Sequence, residues 1–335
     1  MTSSSVSLGI RLIILLAALN ALVAAAIDMY LPAFPAIGVS LAIDAGQVQQ
    51  TLTVFLIGLA VGQGFYGPLL DHYGRRRPLL IGVLLFTLGS ALAALAQSVE
   101  LLLVARFIQA LGAAAGSVTP RAIIADTCDV DTAARAFSML MQVMMLAPIT
   151  APIIGSAVLL VGPWQLIFWL LVAAGSLAGL ASLRMLPETL PPEKRLPISV
   201  HSIVRNYLKL LGHPRFLLYT LASGFMVAGL FTYISSSPFV FIEQFGLTPG
   251  QYSLIFGASA SGMILTGQIN LRLLRFYTPL QVLYLGLTGF VGAALLLGLL
   301  VLTGTAQAWS YALLLGLCLS MLGMISGNQT AITMS

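Results

Sequence analysis

A chain of 335 residues that is 59% hydrophobic and only 7% charged cannot present a water-compatible surface, because a soluble domain usually carries about a quarter charged residues. With a mean hydropathy of +1.01, the composition excludes a soluble enzyme or binding module and requires an integral membrane protein. The formal net charge of +5 and two cysteines provide neither a disulfide framework nor a metal-ligand cluster, so no metal, cofactor or nucleic-acid partner is expected.

The apolar runs are roughly 20 residues long, which calls for spanning helices and not the 10-residue alternations of a barrel. About ten spans follow, near 9–31, 47–70, 78–97, 101–125, 136–160, 164–185, 215–241, 249–271, 279–302 and 309–332. The first, with Arg11 ahead of it and alanines at 24–26, imitates a signal peptide. The many later spans and the acid at Asp28 make it a retained helix instead. The second and third are joined by GPLLDHYGRRRPLL at 67–80, a turn with one acid and three consecutive arginines in a chain otherwise nearly free of charge. Arg106 and Arg121 fall in the fourth span. The fifth contains MMLAPITAPIIG, where Pro148 and Pro152 each remove a helix hydrogen bond and favour a kink. GASASGMILTGQ in the eighth offers a small-residue face for close helix contact.

Residues 1–186 therefore form a six-helix bundle, 187–214 a proline-rich basic linker, and 215–335 a four-helix, incomplete second bundle. Within the linker, 198–211 has the pattern of an amphipathic helix lying on the membrane, Arg205 and Lys209 facing the headgroups. A weak repeat at an offset of about 200 residues relates Gly62, Gly67 and Arg75 to Gly262, Gly267 and Arg275, as in duplicated transporter bundles. With the N-terminus inside, Arg11, Arg75, Arg76, Arg77, Arg135, Arg184, Lys194, Arg195, Arg205, Lys209, Arg215, Arg272 and Arg275 are all cytoplasmic. The opposite loops contain no Lys or Arg, which fixes orientation and span count together. Trp164 and Trp309 each open a span at the outer interface, as in an aromatic belt.

An ionisable group at a helix centre costs roughly 2.5–3.5 kcal/mol on insertion scales and needs a partner or a wet cavity. Asp28, late in the rising first span, and Arg106, early in the descending fourth, lie at similar depth. They form a candidate pair whose separation could load or release a proton. The alternatives are a solvated Asp28 near a helix end and a purely structural, hydrogen-bonding Arg106. Gln109, Gly112 and Gly116 follow Arg106 at helical spacing and suit close packing. Near the cytoplasmic end, Asp126 can meet Arg75 or Arg76, and Asp71 faces the arginines across its own turn. Exposed pairs are worth about 0–1 kcal/mol, enough to bias a two-state equilibrium. Asn20, Tyr30, Gln109, Met141, Met145 and Tyr233 are the candidate lining of a substrate cavity, with ordinary packing the competing role for the methionine run at 139–145.

Several motifs coincide. GPLLDHYGRRRP resembles motif A of the major facilitator superfamily, contributing Gly67, Asp71, Gly74, Arg75 and Arg76. LLLVARFIQALGAAAG resembles motif B of its proton antiporters, with Arg106 as the arginine. APITAPIIG is similar to antiporter motif C, contributing Pro148, Pro152 and Gly155, although Ala147 and Ala151 stand where glycine is usual. IDMYLPAFPAI and YISSSPFVFIEQFG resemble the first and seventh helices of the Bcr/CflA multidrug efflux subfamily. The resemblance implies an all-α major facilitator fold of two six-helix bundles, here with about ten spans and the last two missing. With them goes the start of the eleventh helix, which the acid of motif A is expected to meet. It also implies alternating access in the bacterial inner membrane and, against inward protons, export of drugs similar to bicyclomycin, chloramphenicol or sulfonamides. It implies a cytoplasmic gate at Asp71, Arg75 and Asp126, proton coupling at Asp28 and Arg106, no cofactor beyond the proton gradient, and a lipid-embedded monomer. The alternatives are export of a metabolite, such as a sugar or amino acid, by the same fold, and a truncated membrane protein that does not transport. An enzyme is the least expected.

Overall fold

A computed structural model describes residues 10–197, 205, 207–209 and 211–334. Its regular elements are α1 (Ile10–Asp28), α2 (Phe34–Leu41), α3 (Ala45–Tyr73), α4 (Arg76–Ala94), α5 (Val99–Thr127), α6 (Val130–Val161), α7 (Gln165–Met185), α8 (Pro214–Pro238), α9 (Pro249–Leu273), α10 (Pro279–Leu302) and α11 (Ala308–Met334). Among the described residues every regular element is helical, and ten helices are long and apolar enough to cross a membrane. The surface helix expected over 198–211 lies largely outside the described residues.

Local chemistry accounts for the helix boundaries. Asp44 and Gln47 close a reciprocal capping box at the start of α3, as do Thr248 with Gln251 at α9 and Thr278 with Gln281 at α10. Each satisfies two backbone donors that a helix start leaves open. Pro249 and Pro279 occupy the first turn, where a missing N–H costs nothing. The first span is longer than its hydropathy suggests. It breaks after Asp28, passes through a 3-10 turn at Leu31–Ala33 that contains Pro32, and resumes as α2. Pro238 introduces a π-helical turn at Phe239–Gln244, so the seventh span also changes winding near its end. By contrast, α6 remains one helix through Pro148 and Pro152.

In the first half, α5 packs on α3 and α4, α7 on α4, and α1 against α5, α6 and α7. In the second, α11 packs on α9 and α10. The α4–α5 approach is close because a Cβ on Gly112 would strike the backbone of Phe86, and one on Gly89 the backbone of Gln109. The halves meet mainly through α6 and α9. Ser253 donates its Oγ hydrogen bond to Pro152 O at 2.9 Å, and the Phe34 and Phe239 rings lie 5.8 Å apart. These contacts close the arginine-free end of the molecule. Trp309 is exposed there as a belt residue should be. Trp164 is not: it is 2% exposed and packs edge-on against Phe168.

Candidate functional site

At the arginine-rich end, Arg75 occupies the tight turn between α3 and α4 and bridges two carboxylates. Its Nη1 donates to Asp71 Oδ1 at 2.7 Å, its Nε to Asp126 Oδ2 at 2.7 Å, and its Nη2 to Asp126 Oδ1 at 3.2 Å. These are the two ion pairs among the described residues. The two-point contact with Asp126 uses the planar fork that lysine lacks. Hydrogen bonding to Asp126, followed by that to Asp71, holds the Arg75 guanidinium above its ordinary pKa, so its charge is permanent. Gly74 reaches φ +87°, a backbone region open to glycine. Arg76 leaves the cluster and donates from Nη2 to Leu183 O at 2.7 Å. Gly67 has open space around it.

Arg106 lies deep in the first half and is fully buried. Among the described residues no carboxylate pairs with it. Its Nη1 donates to Ala26 O at 3.0 Å and to Gln109 Oε1 at 2.6 Å; Gln109 Nε2 donates onward to Ser90 Oγ at 2.8 Å, and Ser90 Oγ to Phe86 O at 2.7 Å. Three rings surround the cation, with centroids 4.2 Å (Phe55), 4.6 Å (Tyr30) and 5.8 Å (Phe168) from Cζ. Aromatic faces attract a desolvated guanidinium, and Tyr30 is fixed by a 2.8 Å hydrogen bond to Thr51 Oγ1. Nε and Nη2 have no hydrogen-bond partner.

Asp28 faces the other way, toward the junction of the halves. It is 6% exposed and lines a cavity of about 80 Å³ with Pro148, Tyr233, Ser259 and Met263. Asp28 is the last residue of α1, just before the break, whereas Arg106 lies within the unbroken α5. The two are not an ion pair in this conformation. Gly155 explains the close fit of α6 on this break: a Cβ there would run into Met29 O.

The expected cavity lining divides. Tyr233 borders both the Asp28 cavity and an apolar groove of about 900 Å³ between α8, α10 and α11 that also presents Phe290, Tyr311 and Gln329. Tyr30 and Gln109 serve the arginine, Asn20 is buried, and Met141 and Met145 are exposed. Sequence reasoning missed Glu188, which accepts from Arg75 N at 2.7 Å and Arg76 N at 3.3 Å. It also missed Phe55 and Phe168. The acid in an otherwise proline-rich linker start, LPETLPPEK, was the available signal for Glu188; single aromatics in apolar spans gave none.

A sequence profile of the Major Facilitator Superfamily matches residues 16–335. The chain is 41% identical over 240 residues to an uncharacterized MFS-type transporter, YdgK, of Bacillus subtilis, covering 71% of this chain and 60% of that one. It is 34% identical over 246 residues to a bicyclomycin resistance protein homolog of Haemophilus influenzae (73% and 62% covered). It is 31% identical over 276 residues to the multidrug resistance protein MdtL of Klebsiella pneumoniae (82% and 69%). The matched region thus spans 60% and 62% of the length of the first two relatives. The fold is similar to that of a D-xylose-proton symporter, with a TM-score of 0.74 at 14% identity over 95% of this chain and 80% of that one. The helices, the Arg75 turn and the profile agree: this multi-pass membrane protein belongs to the Major Facilitator Superfamily.

Proposed function

We propose that the chain is a proton-coupled antiporter that exports small drugs across the bacterial cytoplasmic membrane by alternating access. The observation that carries this reading is the pair of unlike charge sites. Arg75 locks two carboxylates at one end, while Asp28 lies in a small cavity at the junction of the halves with no cationic partner among the described residues. A carboxylate placed there can gain or lose a proton as the halves move, and the drug-resistance names of the relatives supply the substrate class. The first bundle is residues 1–186 and the second 215–335, joined by 187–214. The arginine-rich end and the N-terminus are cytoplasmic by the charge bias. Asp71, Arg75 and Asp126 act as the gate at that end. Arg106 acts with Asp28 in coupling, keeping a fixed positive charge within the first bundle. The groove beside Tyr233 takes the apolar part of the drug. The protein works as a monomer in lipid.

The test is drug-dependent proton release from energised everted vesicles containing the chain. Addition of bicyclomycin, chloramphenicol or a sulfonamide should release stored protons, and Asp28→Asn should not. Release in the Asp28→Asn variant equal to that of the unsubstituted protein rejects the coupling role.

A further inference from the structure

We propose that Glu188 is the positioning residue of the Arg75 cluster: its carboxylate caps α4 and holds the turn in the shape that lets Arg75 reach both Asp71 and Asp126. A helix start leaves backbone donors open and favours negative charge beside them. The N-cap position of α4 is Arg75 itself, which supplies no side-chain cap because a guanidinium carries donors only and cannot accept from backbone N–H groups. Glu188 fills the gap from the linker. Its Oε1 accepts from Arg75 N at 2.7 Å, its Oε2 from Arg76 N at 3.3 Å, and Leu190 N closes the linker's own bend onto Oε1 at 3.1 Å.

Gly74 adds an independent observation. A Cβ there would approach Glu188 Cδ to 2.6 Å and overlap its carboxylate oxygens. Glycine at this position therefore serves the left-handed backbone and also leaves room for an acid arriving from more than a hundred residues away in the chain. The surrounding linker is pinned to the same cluster. Leu186 and Leu190 are buried, Thr189 Oγ1 lies 3.4 Å from Asp126 Oδ2, and Leu196 N donates to Asp71 O at 3.0 Å. The linker runs on to α8, the first helix of the second half. In the proposed alternating-access cycle, loss of this cap would loosen Arg75 and so free Asp71 and Asp126.

The gating significance of this strap rests on the proposed transport function, but its positioning role can be tested separately. Cys128, two residues beyond Asp126, is half-buried, and Cys318 is buried in the second half. In membranes containing the full chain, Glu188→Ala should raise the alkylation rate of Cys128 about fivefold, the equilibrium factor that corresponds to the typical stability lost with a helix cap. Cys318 should be unaffected, and Glu188→Gln, which retains one carbonyl acceptor, should give a smaller rise. In the vesicle assay Glu188→Ala should lower the maximal export rate and leave the drug concentration for half-maximal export unchanged. An unchanged Cys128 rate, a parallel rise at Cys318, or equal rises in the two variants overturns the positioning role. If the unsubstituted chain exports nothing while Cys128 responds as expected, the transport reading fails and the role of Glu188 stands.

Discussion

Arg75 and Arg106 are both buried arginines in one helical half, and they are held by opposite means. Arg75 has two carboxylates within 2.7 Å and lies at a helix end, with Asp71 half exposed to solvent. Arg106 has no anion; a backbone carbonyl, an amide oxygen and three ring faces replace it. Near water, a salt bridge is an arrangement that can open at small cost, because solvent takes over both partners. Away from water, pairing Arg106 with an acid would lock both charges, since separating a buried pair is strongly unfavourable. Neutral acceptors and rings retain the cation without consuming a carboxylate, which on the proposed function leaves Asp28 available to protons.

This contrast can be broken experimentally, beginning where the effect is largest. Asp28→Asn should abolish drug-driven proton release while membrane insertion, followed by immunoblot, stays normal; an isolated ionisable group in a span is expected to be functional. Next comes Arg106→Lys, which keeps the charge but loses the flat guanidinium that lies among the Phe55, Tyr30 and Phe168 rings while Nη1 reaches Ala26 O and Gln109 Oε1. Export should fall about tenfold or more, in line with 1.5–3 kcal/mol for a charge-assisted hydrogen bond. Full activity there would mean that charge alone matters and that the two arginines differ less than their surroundings suggest. Phe55→Leu removes the nearest ring face, and should lower thermal stability by about 1–2 kcal/mol, the range for a desolvated cation–π contact. Smallest are the changes at the exposed end. Asp71→Asn should slow export several-fold, about 1 kcal/mol of bias between states, and more than Arg77→Ala, whose side chain is exposed and outside the cluster. Equal, mild effects of these two would reduce the turn to a topology signal.

The fold was legible in the sequence because membrane spans announce themselves by length and apolarity, and the arginine bias fixes their alternation. The turn at 67–80 was legible too, since its partners Asp71 and Asp126 lie at the same end of neighbouring helices. Asp28 and Arg106 could be assigned similar depth but not a direction. Depth comes from counting along a helix; direction depends on how α1 is rotated against α5, α6 and α7, a packing in which Gly155 comes close to Met29 O. Tyr30 and Gln109 looked like substrate contacts because they are polar groups in a span, and in the folded chain that polarity is used on Arg106. Glu188 stood out only as an acid in a proline-rich segment, with no partner to read. A cap delivered from a distant linker leaves no local spacing to read.

On the proposed orientation, one consequence of the half-exposed Asp71 concerns the composition of the cytosol. The screening length of mobile ions is about 8 Å at physiological ionic strength and shortens as salt rises, and the ions reach solvated pairs far better than buried ones. The Arg75 bridge should therefore weaken in concentrated salt, whereas the ring-enclosed Arg106 should not respond. Osmotic stress that concentrates cell potassium would then shift how readily one end opens while leaving the interior chemistry unchanged.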